Sequence, residues 1–107
     1  MILALDIGNT NIEIGILNEK SGDLEIIHSV RFFTRINITS DELGLFIMNF
    51  LKTKDINSSD IKAMIYSSVV PPLNGKIRMM FEEYFPGRIF EIDDKINLGI
   101  KNCSLKN

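Results

Sequence analysis

The sequence predicts a single α/β domain built on a mixed β-sheet, with its elements in the order β-β-β-α-β-α-β. The first third of the chain shows the period of strands, and turn residues interrupt it at positions 8–11 and 21–23. The rest contains two stretches with the period of a helix, and a short apolar run follows each of them. Strands joined by tight turns and then by helical crossovers favour a mixed sheet with helices packed on its faces.

Three strands are predicted in the first 33 residues. The segment from Ile2 to Ile7 is nearly all apolar, which is typical of a strand buried on both faces. The next strand alternates, with apolar residues at Ile12, Ile14 and Ile16. Because tight turns separate the strands, the simplest arrangement is an antiparallel meander. The third strand is expected to place alternate residues on one face: Leu24, Ile26, His28, Val30 and Phe32.

Two helices and two further strands are predicted after residue 38. Thr39 and Glu42 have the spacing of a capping box, and a helical stripe follows them. Residues 63–70 predict a fourth strand, Pro71 fits the first turn of a second helix, and residues 88–92 predict a fifth strand. This order is the pattern of a ribonuclease H-like or actin-like ATPase domain, whose crossovers we expect to be right-handed.

Length and composition limit the classes of protein to consider. A chain of 107 residues fits one domain, and 45% hydrophobic with 24% charged residues is ordinary for a globular protein. The net charge of −2 gives no electrostatic reason to expect binding to nucleic acid or to an anionic membrane. No stretch approaches the ~20 apolar residues of a membrane helix, and the first residues do not resemble a signal peptide. A cytoplasmic location is therefore expected, and Cys103 alone allows no disulfide within the chain.

The candidate binding site lies at the predicted turn between the first two strands. Phosphate oxygens need several N–H donors that converge, and a tight turn provides them. Gly8 is expected to let the backbone approach closely and adopt a positive φ, while Thr10 and the neighbouring asparagines add side-chain donors. Asp6 beside an anion is explained if Mg²⁺ lies between them, since carboxylate, water and phosphate are its usual ligands. The candidate residues are Asp6, Ile7, Gly8, Asn9, Thr10 and Asn11.

A second interpretation of this turn needs no ligand. Gly-Asn pairs close two-residue hairpins in many proteins, so the turn alone does not decide between the two interpretations. Asp6 favours the binding site, because an ionised group at the end of a buried strand is costly without a partner or a role. Glu13, on the next strand, is assigned no direct role.

The motif Asp-x-Gly-Asn-Thr-Asn after a first strand resembles the first phosphate motif of the superfamily of acetate kinases, sugar kinases, heat-shock chaperones and actin. Its Gly-Asn-Thr-Asn form resembles type III pantothenate kinases. Three further stretches agree with that family in kind and order. They are the strand end Arg31-Phe32-Phe33-Thr34, the helix start Thr39-Ser40-Asp41-Glu42-Leu43 and the strand-to-helix junction Ser67-Ser68-Val69-Val70-Pro71.

The resemblance implies an enzyme that phosphorylates pantothenate with ATP and Mg²⁺, in the first step of coenzyme A biosynthesis. It also implies a monovalent cation, K⁺ or NH₄⁺, and a homodimer. By motif, Asp6 is implied at the metal, and Gly8, Asn9, Thr10 and Asn11 are implied at the phosphates. The junction at residues 68–71 is implied to lie near the cleft.

The resemblance further implies that residues 1–107 are the N-terminal half of a two-domain enzyme. In the family, a Pro-x-x-x-Gly-Ala-Asp-Arg stretch follows a segment similar to residues 99–107 and holds the catalytic aspartate. That aspartate is therefore expected beyond Asn107, and no catalytic residue is expected in this chain, which alone should not turn over pantothenate. A tyrosine or tryptophan often precedes that stretch, whereas this sequence has Asn102-Cys103-Ser104.

Two other functions fit the same residues. Some relatives of the family were first described as accessory factors for transcription, so an ATP-binding regulatory role stays open. Phosphorylation of another small molecule by a kinase of the same superfamily is the remaining alternative.

Overall fold

A computed structural model of the protein describes residues 1–92 as one five-stranded sheet, two α-helices and a short 3-10 helix. The helices are α1 (Ser40–Thr53) and α2 (Pro71–Tyr84), and the 3-10 helix spans Ser58–Asp60. The predicted element order is confirmed. The strands are β1 (Ile2–Ile7), β2 (Asn11–Lys20), β3 (Asp23–Phe33), β4 (Ala63–Ser68) and β5 (Arg88–Glu91).

Three predictions concern parts of the protein outside the described residues. They are the interpretation of Cys103, the likeness of residues 99–107 to a family segment, and the catalytic aspartate expected beyond Asn107. All three stay predictions, because the structure describes residues 1–92.

The sheet is mixed, and its strands lie in the order β3-β2-β1-β4-β5. Strand β2 is antiparallel to β1 and to β3, which confirms the predicted meander, and β4 is parallel to β1 and to β5. Since β1 and β3 both run against β2, the carboxyl ends of β1, β3, β4 and β5 meet at one edge of the sheet. The candidate site lies at this edge.

One face of the sheet carries the main hydrophobic core. Leu3, Leu5 and Ile7 of β1 are buried there together with the apolar stripes of α1 and α2. Both helical connections run in the same direction along the sheet, so crossovers of one hand place both helices on the same face. The opposite face carries a smaller cluster around Ala4 and Leu17, and the alternation of β1 puts Asp6 on this second face.

Strand β3 does not keep one face along its length, so the prediction for its five alternate residues is wrong. Ile16 of β2 pairs with His28, but the next residue, Leu17, pairs with Ile26. The extra residue, Ile27, forms a β-bulge, which reverses the faces of the residues on either side of it. As a result Ile26 packs in the smaller cluster, whereas Val30 and Phe32 pack against the main core.

Helix α1 begins with the predicted capping box. The Thr39 hydroxyl accepts a hydrogen bond from the Glu42 N–H at 3.0 Å, and the Glu42 carboxylate accepts one from the Thr39 N–H at 2.9 Å. Gly44 lies where α1 crosses α2, because a Cβ at this position would come within 2.5 Å of the Tyr84 ring. The close approach of the two helices therefore depends on this glycine.

The last two strands end earlier than predicted. Strand β4 ends at Ser68, and Val69 is already 60% exposed. The Ser68 hydroxyl accepts a hydrogen bond from the Val70 N–H at 3.1 Å, and this local bond competes with continued strand pairing. Strand β5 ends at Glu91. Neither of the helices described in residues 1–92 is long and apolar enough to span a membrane.

Candidate phosphate-binding site at the turn between the first two strands

The turn between β1 and β2 lies at the edge of the sheet where the parallel strands end. Asp6, near the end of β1, is 6% exposed and interacts with other groups of the protein. Its neighbours across the sheet are Ser67 on β4 and Glu13 on β2, and Arg31 on β3 lies opposite Glu13. A polar row of four side chains therefore crosses the second face of the sheet beside the turn.

Three hydrogen bonds define the shape of the turn. The Gly8 N–H donates to the Asn11 carbonyl oxygen at 2.9 Å, which closes the hairpin. The Thr34 hydroxyl donates to the Gly8 carbonyl oxygen at 2.7 Å, and the Thr34 N–H donates to the Thr10 carbonyl oxygen at 2.8 Å. Thr34 follows directly after β3, so the third strand holds the turn between the first two.

The predicted conformation of Gly8 is wrong, but the expected close approach of the backbone at Gly8 is present. Among the described glycines, Gly22 is the one with a positive φ, at 86°, so Gly8 does not use the left-handed region. A Cβ on Gly8 would instead lie 3.1 Å from the Asn11 carbonyl oxygen. The hydrogen bond that closes the hairpin brings these two backbones together, and it is this contact that favours glycine.

Two backbone donors of the turn have no partner among the described residues. No acceptor in residues 1–92 takes a hydrogen bond from the N–H groups of Asn9 or Thr10, and both residues are exposed. By contrast the Gly8 N–H is used inside the hairpin, and the Ile7 side chain is 1% exposed in the core. Asn9 and Thr10 therefore present backbone donors that no acceptor in residues 1–92 takes up.

The junction between β4 and α2 supports the turn from the other side. The Val69 N–H donates to the Ile7 carbonyl oxygen at 3.0 Å. Helix α2 begins with Pro71 and Pro72, and proline has no N–H to offer. The start of α2 therefore lacks two of the free donors that make helix N-termini bind anions.

The carboxylates beside the turn fit a Mg²⁺ ion whose remaining ligands are water and phosphate oxygens. Residues 1–92 contain no cluster of three or more histidine, cysteine, aspartate or glutamate side chains of the kind that encloses a metal. Mg²⁺ in phosphate-transfer sites usually takes one or two carboxylates together with water and phosphate oxygens. Asp6, with Glu13 opposite it, provides a donor set of that size.

Two basic residues of α2 that follow the junction have contacts away from the turn. Lys76 Nζ donates to the Ile36 carbonyl oxygen at 2.8 Å. Arg78 donates to the Tyr66 hydroxyl at 3.1 Å, and this bond raises the pKa of the Arg78 guanidinium above its usual value. Neither contact involves a residue of the turn.

Two surface cavities differ in their relation to the turn. A shallow cavity of about 320 Å³ is lined by Asn11, Arg31, Phe32 and Phe33, beside the turn. A larger one of about 790 Å³ lies at the carboxyl end of α1, and residues 45–59 supply its lining. The larger cavity has no residue of the turn in its lining, so size alone does not identify the site.

Thr34 belongs to this site, but reasoning from the residues alone did not assign it there. It was singled out only as part of the strand end that resembles the family. Its position at the end of a predicted strand is the one feature of the sequence that could have indicated a role at this site. Its contact with Gly8 spans 26 residues of sequence, so the register of β2 with β3 must be known before the contact can be seen.

Comparison with known proteins shows that the sequence is similar to one protein family along nearly its whole length. The model of the family described as type III pantothenate kinase matches residues 2–106. A type III pantothenate kinase of Listeria innocua is 36% identical over 100 residues, which cover 94% of this chain and 37% of the relative. One from Exiguobacterium sibiricum is 34% identical over 100 residues, which cover 94% of this chain and 38% of the relative. The chain thus spans little more than a third of the length of these relatives.

Solved structures show the same fold at low sequence identity. The Thermus thermophilus RuvC structure has a TM-score of 0.54 and 16% identity, and the match covers 84% of this chain and 60% of RuvC. RuvC from the same organism in complex with a Holliday junction substrate gives a TM-score of 0.55 at 12% identity, with 85% of this chain and 65% of RuvC covered. The likeness confirms the predicted ribonuclease H-like class, which actin-like ATPase domains share, and extends to the fold alone.

Proposed function

The chain belongs to the type III pantothenate kinase family, and from this we propose that it forms the N-terminal part of an enzyme that transfers the γ-phosphate of ATP to pantothenate. Within that enzyme the turn at residues 8–10 binds the phosphates of ATP. The matched relatives are longer than this chain. We propose that the rest of the ATP-binding cleft is formed by the part of the enzyme that corresponds to the unmatched portion of these relatives.

One observation carries the proposal. The turn presents the N–H groups of Asn9 and Thr10, which have no acceptor among residues 1–92, three and four residues after the buried carboxylate of Asp6. Backbone donors that converge at a turn bind phosphate oxygens, and a carboxylate beside them suits a Mg²⁺ ion that also contacts those phosphates. A ligand-free hairpin needs neither feature, so this combination supports the binding site over the plain turn.

The proposed mechanism gives these residues two tasks. The N–H groups of Asn9 and Thr10, with the Thr10 hydroxyl and the Asn9 and Asn11 amides, hold phosphate oxygens in place, and phosphoryl transfer depends mainly on such positioning and electrostatics. Asp6 would hold Mg²⁺, which supplies positive charge to offset the charge on the transferring group. No general base for the pantothenate hydroxyl is assigned to residues 1–107, and the proposal gives that role to the aspartate expected beyond Asn107.

The cofactors, the oligomeric state and the location are proposed from the resemblance to the family. We extend the proposal to the use of Mg²⁺ and of a monovalent cation, K⁺ or NH₄⁺, to a homodimeric enzyme, and to a cytoplasmic location without nucleic-acid or membrane partners. Residues 1–107 alone are proposed to bind ATP weakly and not to turn over pantothenate, because half a cleft positions only one side of the nucleotide.

A chimera tests the function of this chain inside a complete enzyme. Residues 1–107 replace the matched segment of the Listeria innocua relative, and pantothenate-dependent ADP release is measured with the unchanged relative as control. The proposal predicts ADP release that requires both pantothenate and Mg²⁺. A folded chimera that binds ATP without pantothenate-dependent release would contradict the kinase function and favour the regulatory alternative, and a panel of other small-molecule substrates would identify a different kinase.

A further inference from the structure

We propose that Thr34 is a positioning residue of the phosphate-binding turn, which orients the peptide groups of the turn so that the N–H groups of Asn9 and Thr10 face an incoming polyphosphate. This inference deepens the proposed function and rests on it. It gives the third strand a task in nucleotide binding, although no residue of β3 belongs to the turn itself.

Two hydrogen bonds from Thr34 fix two peptide groups. The hydroxyl donates to the Gly8 carbonyl oxygen at 2.7 Å, and the backbone N–H donates to the Thr10 carbonyl oxygen at 2.8 Å. The described peptide bonds are all trans, and in a trans peptide the N–H points opposite to the C=O. The Gly8 carbonyl faces Thr34, so the N–H of Asn9, in the same peptide group, is directed away from Thr34.

The remaining peptide group of the turn lies between the two that Thr34 holds. It joins Asn9 to Thr10, and the Thr10 N–H has no acceptor among residues 1–92. The peptide groups before and after it are both held by Thr34, which fixes the positions of the Asn9 and Thr10 Cα atoms that bound this group. Donors fixed before the ligand arrives cost no reorganisation when it binds, which is the condition for strong electrostatic stabilisation.

The hydroxyl of Thr34 can be removed with little change of shape. Thr34→Val deletes the hydroxyl and keeps both the branched side chain and the backbone N–H, while Thr34→Ser keeps the hydroxyl. Thr53 provides a matched control, because its hydroxyl also donates to a backbone carbonyl, that of Phe50 at 2.6 Å, at the end of α1. Thr53→Val therefore removes a similar bond that has no contact with the turn.

The experiment uses the isotope-labelled 107-residue chain and two NMR readouts. The first is the hydrogen-exchange rate of the residue-34 amide, which reports how firmly the turn is held without any ligand. The second is the shift of the Asn9 and Thr10 amide signals during titration with Mg·ATP, which gives an apparent Kd. An independent thermal melt shows that each variant is folded.

The expected results separate positioning from stability. Thr34→Val speeds exchange of the residue-34 amide roughly 2- to 10-fold, the range for one lost hydrogen bond, and weakens Mg·ATP binding about 10-fold. Thr34→Ser stays within about 2-fold of the wild type in both readouts, since it restores the bond. Thr53→Val changes the melt without moving either readout.

Three results would overturn the inference. Unchanged exchange of the residue-34 amide in Thr34→Val would show that the hydroxyl does not hold the turn, whatever the ligand does. Mg·ATP binding by Thr34→Val at wild-type strength would show that the hold does not serve binding. If the wild-type amides of Asn9 and Thr10 do not respond to Mg·ATP while exchange is faster in Thr34→Val, the proposed phosphate site fails, and the role of Thr34 is limited to the shape of the hairpin.

Discussion

Asp6 on β1 lies directly opposite Glu13 on β2, and Glu13 lies opposite Arg31 on β3. Carboxylates at directly opposed positions repel each other, so a compensating charge is expected near the pair. Arg31 supplies one beside Glu13. Asp6 lies in a central strand at 6% exposure, where solvent would screen its interaction with a bound Mg²⁺ only weakly.

The first prediction separates the two carboxylates. In the chimera, Asp6→Asn lowers kcat at least about 100-fold, because it removes the group that would hold the metal against the phosphates. Glu13→Gln is expected to cost less than about 10-fold, since the metal is assigned to Asp6 and Arg31 lies opposite Glu13 across the sheet. Steady-state ADP release over a range of Mg²⁺ concentrations measures both. Equal losses in the two variants would contradict the assignment of the metal to Asp6.

The second prediction concerns the close contact at Gly8. Gly8→Ala brings a methyl group to 3.1 Å from the Asn11 carbonyl oxygen, and it is expected to destabilise the fold by about 1–3 kcal/mol and to weaken Mg·ATP binding. Gly75→Ala is the control, because a Cβ at Gly75 in α2 meets nothing within 4 Å and helix propensity favours alanine by about 1 kcal/mol. Urea unfolding compares the two variants, and a Gly8→Ala protein as stable as the wild type would show that the turn can relax.

The third prediction concerns the crossing of α1 and α2 at Gly44. A Cβ there would reach 2.5 Å from the Tyr84 ring, whose hydroxyl donates to Asp41 at 2.9 Å. Gly44→Ala is therefore expected to destabilise the protein by about 1–3 kcal/mol, more than its gain in helix propensity. In a Tyr84→Ala background the same change is expected to become neutral or stabilising. Additive unfolding free energies in this double-mutant cycle would contradict the contact.

The fourth prediction is a pH dependence from the capping box of α1. The hydrogen bond from the Thr39 backbone N–H, with smaller contributions that include Arg35, lowers the pKa of Glu42 below its ordinary value of 4.5. A lowered folded-state pKa contributes stability above the unfolded value, and this stability is lost as pH falls through the folded value. The unfolding free energy of the wild type should therefore fall more steeply below about pH 4.5 than that of Glu42→Gln. Parallel pH profiles would contradict a charged Glu42 in the cap.

Two features that depend on near neighbours in sequence were predicted correctly. The capping box needs only Thr39 and Glu42, three residues apart, and its hydrogen bonds form as the spacing indicates. The meander likewise follows from strands separated by short turns.

Features that depend on pairing between strands could not be predicted from the sequence. The bulge at Ile27 reverses the face of Ile26, and it becomes visible only in the pairing of β3 with β2. The contact of Thr34 with Gly8 exists because β2 brings β3 into register with the turn. Gly8 is a local feature that was predicted wrongly: its φ lies outside the left-handed region, and the contact that limits its side chain is with Asn11, three residues away.

Binding of a metal-complexed polyphosphate at the turn after Asp6 is the property from which the proposed function follows. Paramagnetic line broadening by Mn²⁺·ATP in the labelled chain detects such binding even when it is weak and in fast exchange. We expect broadening centred on Asp6, Asn9 and Thr10 that diamagnetic Mg²⁺·ATP does not cause and that Asp6→Asn reduces. Broadening centred on residues 45–59, or spread evenly over the chain, would show that the turn is not the phosphate site.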